Sequence, residues 1–353
     1  MGCETKTWLI LSLLLLGASY MQQCVYGAPQ VPCLFVFGDS LSDSGNNNDL
    51  VTTAKVNYKP YGIDFPTGPT GRFTNGLTSI DIIGQLLGLD FIPPFASLAG
   101  WDILKGVNYA SGSAGIRYET GKKTGDNVGL GTQLRRHEMI IAQIAIKLGG
   151  VAQASQYLNK CLYYVNIGSN DFIDNYFLPK LYATSRRYNL EQYAGVLIDE
   201  LSKSIQKLHD NGARKMVLVG VGPIGCTPNA LAKNGVCVKE KNAAALIFSS
   251  KLKSLVDQLN IQFKDSKFVF RNSSADIFDS SKGFKVLNKA CCQSSLNVFC
   301  TLNRTPCQNR KEYKFWDGFH PTQAANQIGA INSYNSSNPK IIYPMNIQQL
   351  VKA

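Results

Sequence analysis

Short apolar runs closed by turn residues constrain the fold of this chain more than any other feature. Cys33 to Phe37 runs into Gly-Asp-Ser, Val107 to Ala110 into Ser-Gly, Leu162 to Ile167 into Gly-Ser-Asn-Asp, and Met216 to Val219 into Gly-Val-Gly-Pro. Lys267 to Phe270 is a fifth candidate. Runs of this length suit strands buried on both faces of a parallel sheet. Helical spacing fills the intervals. Ile80, Ile83 and Leu87 recur at three and four residues, and Leu134 to Leu148, Leu190 to Leu208 and Glu240 to Phe263 behave alike, with Gly212 placed to end the third. Strand and helix in alternation predict a doubly wound α/β fold. Long loops at Thr52 to Gly76 and Gly115 to Thr132 are placed to shape a cleft at the carboxyl edge of the sheet.

The chain is 353 residues long, 44% hydrophobic and 17% charged, enough apolar material for one large domain. That domain is expected over residues 28–353, behind a signal peptide at 1–27. Lys6 precedes the apolar run Trp8 to Leu16, and Val25 and Gly27 are small enough for signal peptidase, which places cleavage near Gly27/Ala28. The alternative is an uncleaved anchor; no later segment reaches the roughly 18 apolar residues of a span. Lys6 also stands where a myristoylation motif requires Ser or Thr.

Of ten cysteines, Cys3 and Cys24 would leave with the signal. The even remainder predicts disulfides in an oxidising compartment. Cys226 and Cys237 close a short Pro- and Gly-containing loop. Cys291, Cys292, Cys300 and Cys307 are expected to staple one another or nearby loops, the vicinal pair taking different partners because a bond between them would be strained. Zinc is the competing reading, but no His lies among them and paired CxxC knuckles are absent. No metal or cofactor is expected. Sequons stand at Asn272, Asn303 and Asn335 as candidate glycosylation sites. The net charge of +12 is scattered, and no nucleic-acid motif accompanies it, so no nucleic-acid partner is expected. Weak association with anionic cell-wall or lipid surfaces is compatible with the charge, though solubility alone accounts for it. No obligate protein partner is inferred.

Histidine narrows the chemistry, because there are three: His137, His209 and His320. His137, in Leu-Arg-Arg-His-Glu, reads as part of a solvated helix face. His209, in Leu-His-Asp-Asn-Gly, reads as a helix end, where capping and dipole effects account for it. His320 lies in Phe-Trp-Asp-Gly-Phe-His-Pro-Thr, with Asp317 three residues earlier. One helical turn would put both on one side, the carboxylate fixing the imidazole tautomer. A plainer reading has the two capping a C-terminal helix. Ser40 stands directly past the first strand, where open α/β sheets bind ligands. Ser42 and Ser44 are rivals by residue type but lie further from the strand end. Ser111-Gly112-Ser113 and Gly168-Ser169-Asn170-Asp171 close the next two runs. The N–H of Gly112 and the amide of Asn170 are therefore candidates to join the N–H of Ser40 around an oxyanion.

These blocks resemble the GDSL esterase/lipase family of plants, within the SGNH hydrolase superfamily. The first is Phe37-Gly38-Asp39-Ser40-Leu41-Ser42-Asp43-Ser44-Gly45-Asn46-Asn47 and the second Gly106-Val107-Asn108-Tyr109-Ala110-Ser111-Gly112. The third is Gly168-Ser169-Asn170-Asp171 and the last Asp317-Gly318-Phe319-His320-Pro321-Thr322. Gly71 to Gly76 and Pro223 to Pro228 are similar to further family segments. The resemblance implies a three-layer α/β/α fold with a central, mostly parallel five-stranded sheet, flavodoxin-like. It implies Ser40 as nucleophile, Asp317 and His320 as its partners, and Ser40, Gly112 and Asn170 as oxyanion donors, with Gly115 as the alternative to Gly112. It also implies a secreted, extracellular enzyme, in the apoplast or cell wall if from a plant. Small-molecule or polymeric acyl esters would be its substrates.

Two decoys are set aside. Gly220-Val-Gly-Pro-Ile-Gly225 matches a dinucleotide fingerprint, with Glu240 about twenty residues on, but Pro223 and Pro228 break the helix such a fingerprint must open. The GxSxG elbow of α/β-hydrolases is absent. Two functions of different class remain: a serine ester hydrolase, and a secreted lipid- or polysaccharide-binding protein that retains the hydrolase fold.

Overall fold

Alternation along the first strand sets the layers. In this computed structural model, which describes residues 28–232, 234–294 and 298–353, Phe35 and Phe37 point into one apolar cluster and Leu34 and Val36 into another. The expected signal segment, with Cys3 and Cys24, lies outside the described residues. The main elements in order are β1 (Leu34–Gly38), α1 (Ser79–Leu86), α2 (Leu130–Leu148), α3 (Val151–Leu158), β2 (Leu162–Asn166), α4 (Leu190–Asp210) and β3 (Lys215–Val219). After them come α5 (Lys239–Gln262), β4 (Lys267–Arg271), β5 (Val286–Ala290), β6 (Tyr313–Phe315), α6 (Gln323–Asn335) and β7 (Ile342–Tyr343).

The central sheet runs β1-β2-β3-β4-β7, its first four strands parallel and β7 antiparallel to β4. Helices α2, α4 and α5 cover one face through Leu134, Ile140, Leu197, Leu201, Phe248 and Leu252. Helices α1 and α6 cover the other through Ile80, Ile83 and Ala330. Full capping boxes open two of these helices: Thr78 with Asp81 opens α1, and Asn189 with Gln192 opens α4. Gly212, with φ of 101°, follows α4 as expected.

The mostly parallel five-stranded, three-layer architecture is as expected, but one strand is not. Val107 to Ala110 forms no strand. It meets β1 only at a bridge between Val36 and Asn108, because the Asn108 side chain takes the Ala110 N–H at 2.9 Å and the Asn108 backbone bonds instead to Pro93 and Phe95. The fifth strand is the two-residue β7, too short to show a period. The remaining outer edge of β1 is sealed by Gln133, whose amide accepts from the Gly38 N–H and donates to the Gly38 carbonyl.

His137 corrects a second expectation. Rather than lying on a solvated face, it is 0% exposed, its ring 4.7 Å from Phe35 and 5.3 Å from Phe37, with the Tyr109 hydroxyl 3.0 Å from Nδ1. Burial pushes its pKa down to about 3, so the imidazole is neutral. His209 does close α4, stacked on Phe263 and 3.2 Å from Asp265.

Disulfides join Cys226 to Cys237, Cys291 to Cys307 and Cys292 to Cys300, so the vicinal cysteines do take different partners. Cys33–Cys161 ties the start of β1 to the start of β2. The fingerprint-like Gly220 to Gly225 leads only into a single turn at Ile224–Cys226. Among the described residues, no helix is long and apolar enough to cross a membrane. Asn303 and Asn335 are exposed, whereas the Asn272 amide donates to the Lys340 carbonyl.

Candidate active site

The end of β1 must turn sharply against β2. A Cβ on Gly38 would lie 2.4 Å from the Asn166 carbonyl oxygen, so only glycine fits. Beyond it the Asp39 N–H donates to that same carbonyl, and Ser40 emerges at the carboxyl edge of the sheet. There Ser40 Oγ lies 2.8 Å from His320 Nε2, although the two residues are 280 positions apart in the chain. His320 Nδ1 lies 2.9 and 2.8 Å from the two carboxylate oxygens of Asp317. A carboxylate at Nδ1 selects the tautomer protonated there, which leaves Nε2 as acceptor for the Ser40 hydroxyl.

The Asp317–His320 spacing works through a turn rather than a helix. Asp317 Oδ1 accepts the N–H groups of Phe319 and His320, each at 2.8 Å, and the next helix, α6, begins only after its N-cap Thr322. Asp317 is 0% exposed and its Oδ2 accepts the Tyr61 hydroxyl at 2.6 Å. Phe73 and Phe299 lie against the imidazole, at 4.9 and 6.2 Å between ring centres. Ser42 and Ser44 are buried away from the cavity that Ser40 lines.

Two of the three candidate oxyanion donors belong to residues that line this cavity. The Ser40 N–H has no partner among the described residues. Asn170 lines the same cavity and gives one amide hydrogen to the Ala114 carbonyl at 3.0 Å, leaving the second. Gly112 does not join them. Its N–H donates to Asp43 Oδ2 at 3.0 Å, and a Cβ there would strike Phe73 and Asn47, so glycine at 112 serves packing behind the site. Gly115 lies against Thr120 and Asp171. Ser113, with φ of 60°, is the second-block residue that lines the cavity.

The cavity holds about 500 Å³. Phe73, Ile173, Phe177, Leu178, Phe299 and Phe319 give it apolar walls, and Lys314 adds a cation held over the rings of Phe278 and Phe315. Burial raises three carboxyls, Asp39 at its wall to about 7 and, outside its lining, Asp43 to about 6 and Asp171 to about 6. Asp43 and Asp171 are spent on backbone N–H groups that shape the loops, at Gly45, Asn46 and Gly112 and at Ile116 and Arg117 respectively. Sequence reasoning missed Tyr61 and Gln133, whose partners are too distant in the chain for spacing to show. A hydroxyl held on a base, with that base held on a buried carboxylate at the wall of a cavity, can perform acyl transfer.

The model of the GDSL-like lipase/acylhydrolase family matches residues 34–331. Among curated proteins, the chain is similar to GDSL esterase/lipase At1g29670 of Arabidopsis thaliana, 45% identical, covering 99% of this chain and 98% of that one. It is also similar to GDSL esterase/lipase At5g45670 of the same plant, at 44% identity over 97% of this chain and 98% of that one.

Proposed function

The chain belongs to the GDSL-like lipase/acylhydrolase family and is an ester hydrolase, and on that premise we propose that it is secreted and cleaves acyl esters through Ser40, His320 and Asp317. The 2.8 Å contact between Ser40 Oγ and His320 Nε2 carries this reading. Ser40 Oγ attacks the ester carbonyl carbon while its proton passes to Nε2. The oxyanion is met by the Ser40 N–H and the second hydrogen of the Asn170 amide. Collapse expels the alcohol, which takes the proton from Nε2, and leaves an acyl-serine. Water then attacks the acyl carbon as His320 again removes a proton, and collapse breaks the acyl carbon–Oγ bond, Oγ taking the proton from Nε2 as the acid departs. Throughout, Asp317 offsets the positive charge on the imidazole.

The apolar walls support an acyl chain of lipid or other acyl-ester origin in the cavity. Secretion is supported by the pattern of residues 6–27 and by the four disulfides, which suit an oxidising compartment. The test is turnover of p-nitrophenyl acetate and butyrate by the mature protein and by Ser40→Ala. The variant is expected to lose all turnover above background; equal rates would dispose of the mechanism.

A further inference from the structure

Tyr61 lies in the long loop before α1, yet it is 0% exposed and touches the carboxylate behind His320. Its hydroxyl donates to Asp317 Oδ2 at 2.6 Å and accepts the Cys300 N–H at 3.1 Å. Cys300 is disulfide-bonded to Cys292, and the Cys292 N–H donates to the carbonyl of Trp316, the residue before Asp317. Three hydrogen bonds, one disulfide and the Trp316–Asp317 peptide bond thus close a ring: Asp317, Tyr61, Cys300, Cys292, Trp316. The phenol packs edge-on against Tyr58 and Trp316, and the loop that carries it is pinned by Arg310 on Asp64.

We infer that Tyr61 is a positioning residue for the reaction, fixing the Asp317 carboxylate toward His320 and withdrawing part of its charge from the imidazole. The inference rests on the reading of Ser40, His320 and Asp317 as the reacting set. Burial first, and the Asp317 charge second, raise the Tyr61 pKa well above 10, so the shared proton belongs to the phenol at every working pH. Without that donor, Oδ2 keeps only the imidazole as a partner. The carboxylate then holds the imidazolium more tightly, and His320 is free to act as a base only at higher pH. The other titratable groups facing this pair are Asp39, which feels the His320 charge, and Tyr58, which feels that of Asp317.

The test is the pH profile of kcat/KM on p-nitrophenyl butyrate for the wild type, Tyr61→Phe and Ser40→Ala, with thermal melting as a fold control. For Tyr61→Phe the acid limb is expected to rise by about 0.5–1 pH unit. That reads as a roughly three- to tenfold loss on the limb, with the alkaline plateau held within about twofold. An unmoved limb, whether or not the plateau falls, overturns the inference and gives Tyr61 a purely structural role. Loss of turnover in Ser40→Ala leaves the reading of the triad standing in that case; full turnover removes both. If Tyr61→Phe does not fold, 3-fluorotyrosine placed at position 61 donates more strongly and is expected to lower the limb, and an unmoved limb again overturns the inference.

Discussion

Asn170 holds one amide hydrogen on the Ala114 carbonyl and lines the cavity that Ser40 also lines. In its proposed oxyanion role, a donor held in this way needs no reorganisation when charge develops on the ester oxygen, so its effect falls on the chemical step. Asn170→Ala is expected to lower kcat by about 10²–10³-fold with little change in KM, measured on p-nitrophenyl butyrate. An unchanged kcat would remove Asn170 from the account. Residue type and position make part of this site legible in the sequence alone. Ser40 ends a strand, His320 is one of three histidines, and Asn170 follows a strand in a turn-forming block. Gly112 shows where such reasoning stops. Its amide is turned onto Asp43, and no residue type announces the direction of a backbone N–H. Tyr61 is out of reach for another reason: it is 256 positions from the carboxylate it bonds.

At the scale of elements, apolar spacing locates α2 but misjudges its buried face. Gln133, His137, Ile140 and Ile144 all face inward, and His137 lies three residues from both Leu134 and Ile140, on the stripe those residues define. The flanking Arg135, Arg136 and Glu138 conceal a spacing that is present in the sequence. The misplaced strand at Val107 to Ala110 has a different cause, since the competing hydrogen bonds of Asn108 depend on Pro93 and Phe95 and have no local signature.

Burying a neutral imidazole under the sheet has a consequence for stability. The folded pKa of His137 is lowered from 6.5 to about 3, so its contribution is present above 6.5 and is lost as pH falls toward 3. Asp39 runs the other way: raised from 3.8 to about 7, it contributes below 3.8 and loses that contribution as pH rises through 7. Comparing His137→Gln with the wild type by urea unfolding isolates the first effect. Between about pH 6 and pH 4 the wild type is expected to lose up to about 1.4 kcal/mol per pH unit more than the variant. Parallel curves would contradict the burial of a neutral His137.

Across the whole molecule, the chain uses the parallel sheet to assemble a site from pieces that are far apart in sequence. The end of β1 supplies Ser40, the end of β2 supplies Asn170, and the turn between β6 and α6 supplies Asp317 and His320. Two disulfides, Cys291–Cys307 and Cys292–Cys300, hold the segment that packs behind that last turn. The order of blocks along the chain reveals this assembly because a doubly wound sheet puts every parallel strand end on one edge. The loops that shape the cavity can be located from sequence but not shaped by it, since Asp43 and Asp171 build them from backbone N–H groups contributed by distant segments. Labelling the mature protein with a fluorophosphonate and mapping the adduct by peptide mass spectrometry tests the central claim most directly. A single adduct on Ser40, formed far more slowly in His320→Ala, is the expected result. An adduct on another residue, or equal labelling in both proteins, would contradict the assignment of Ser40 as a nucleophile activated by His320.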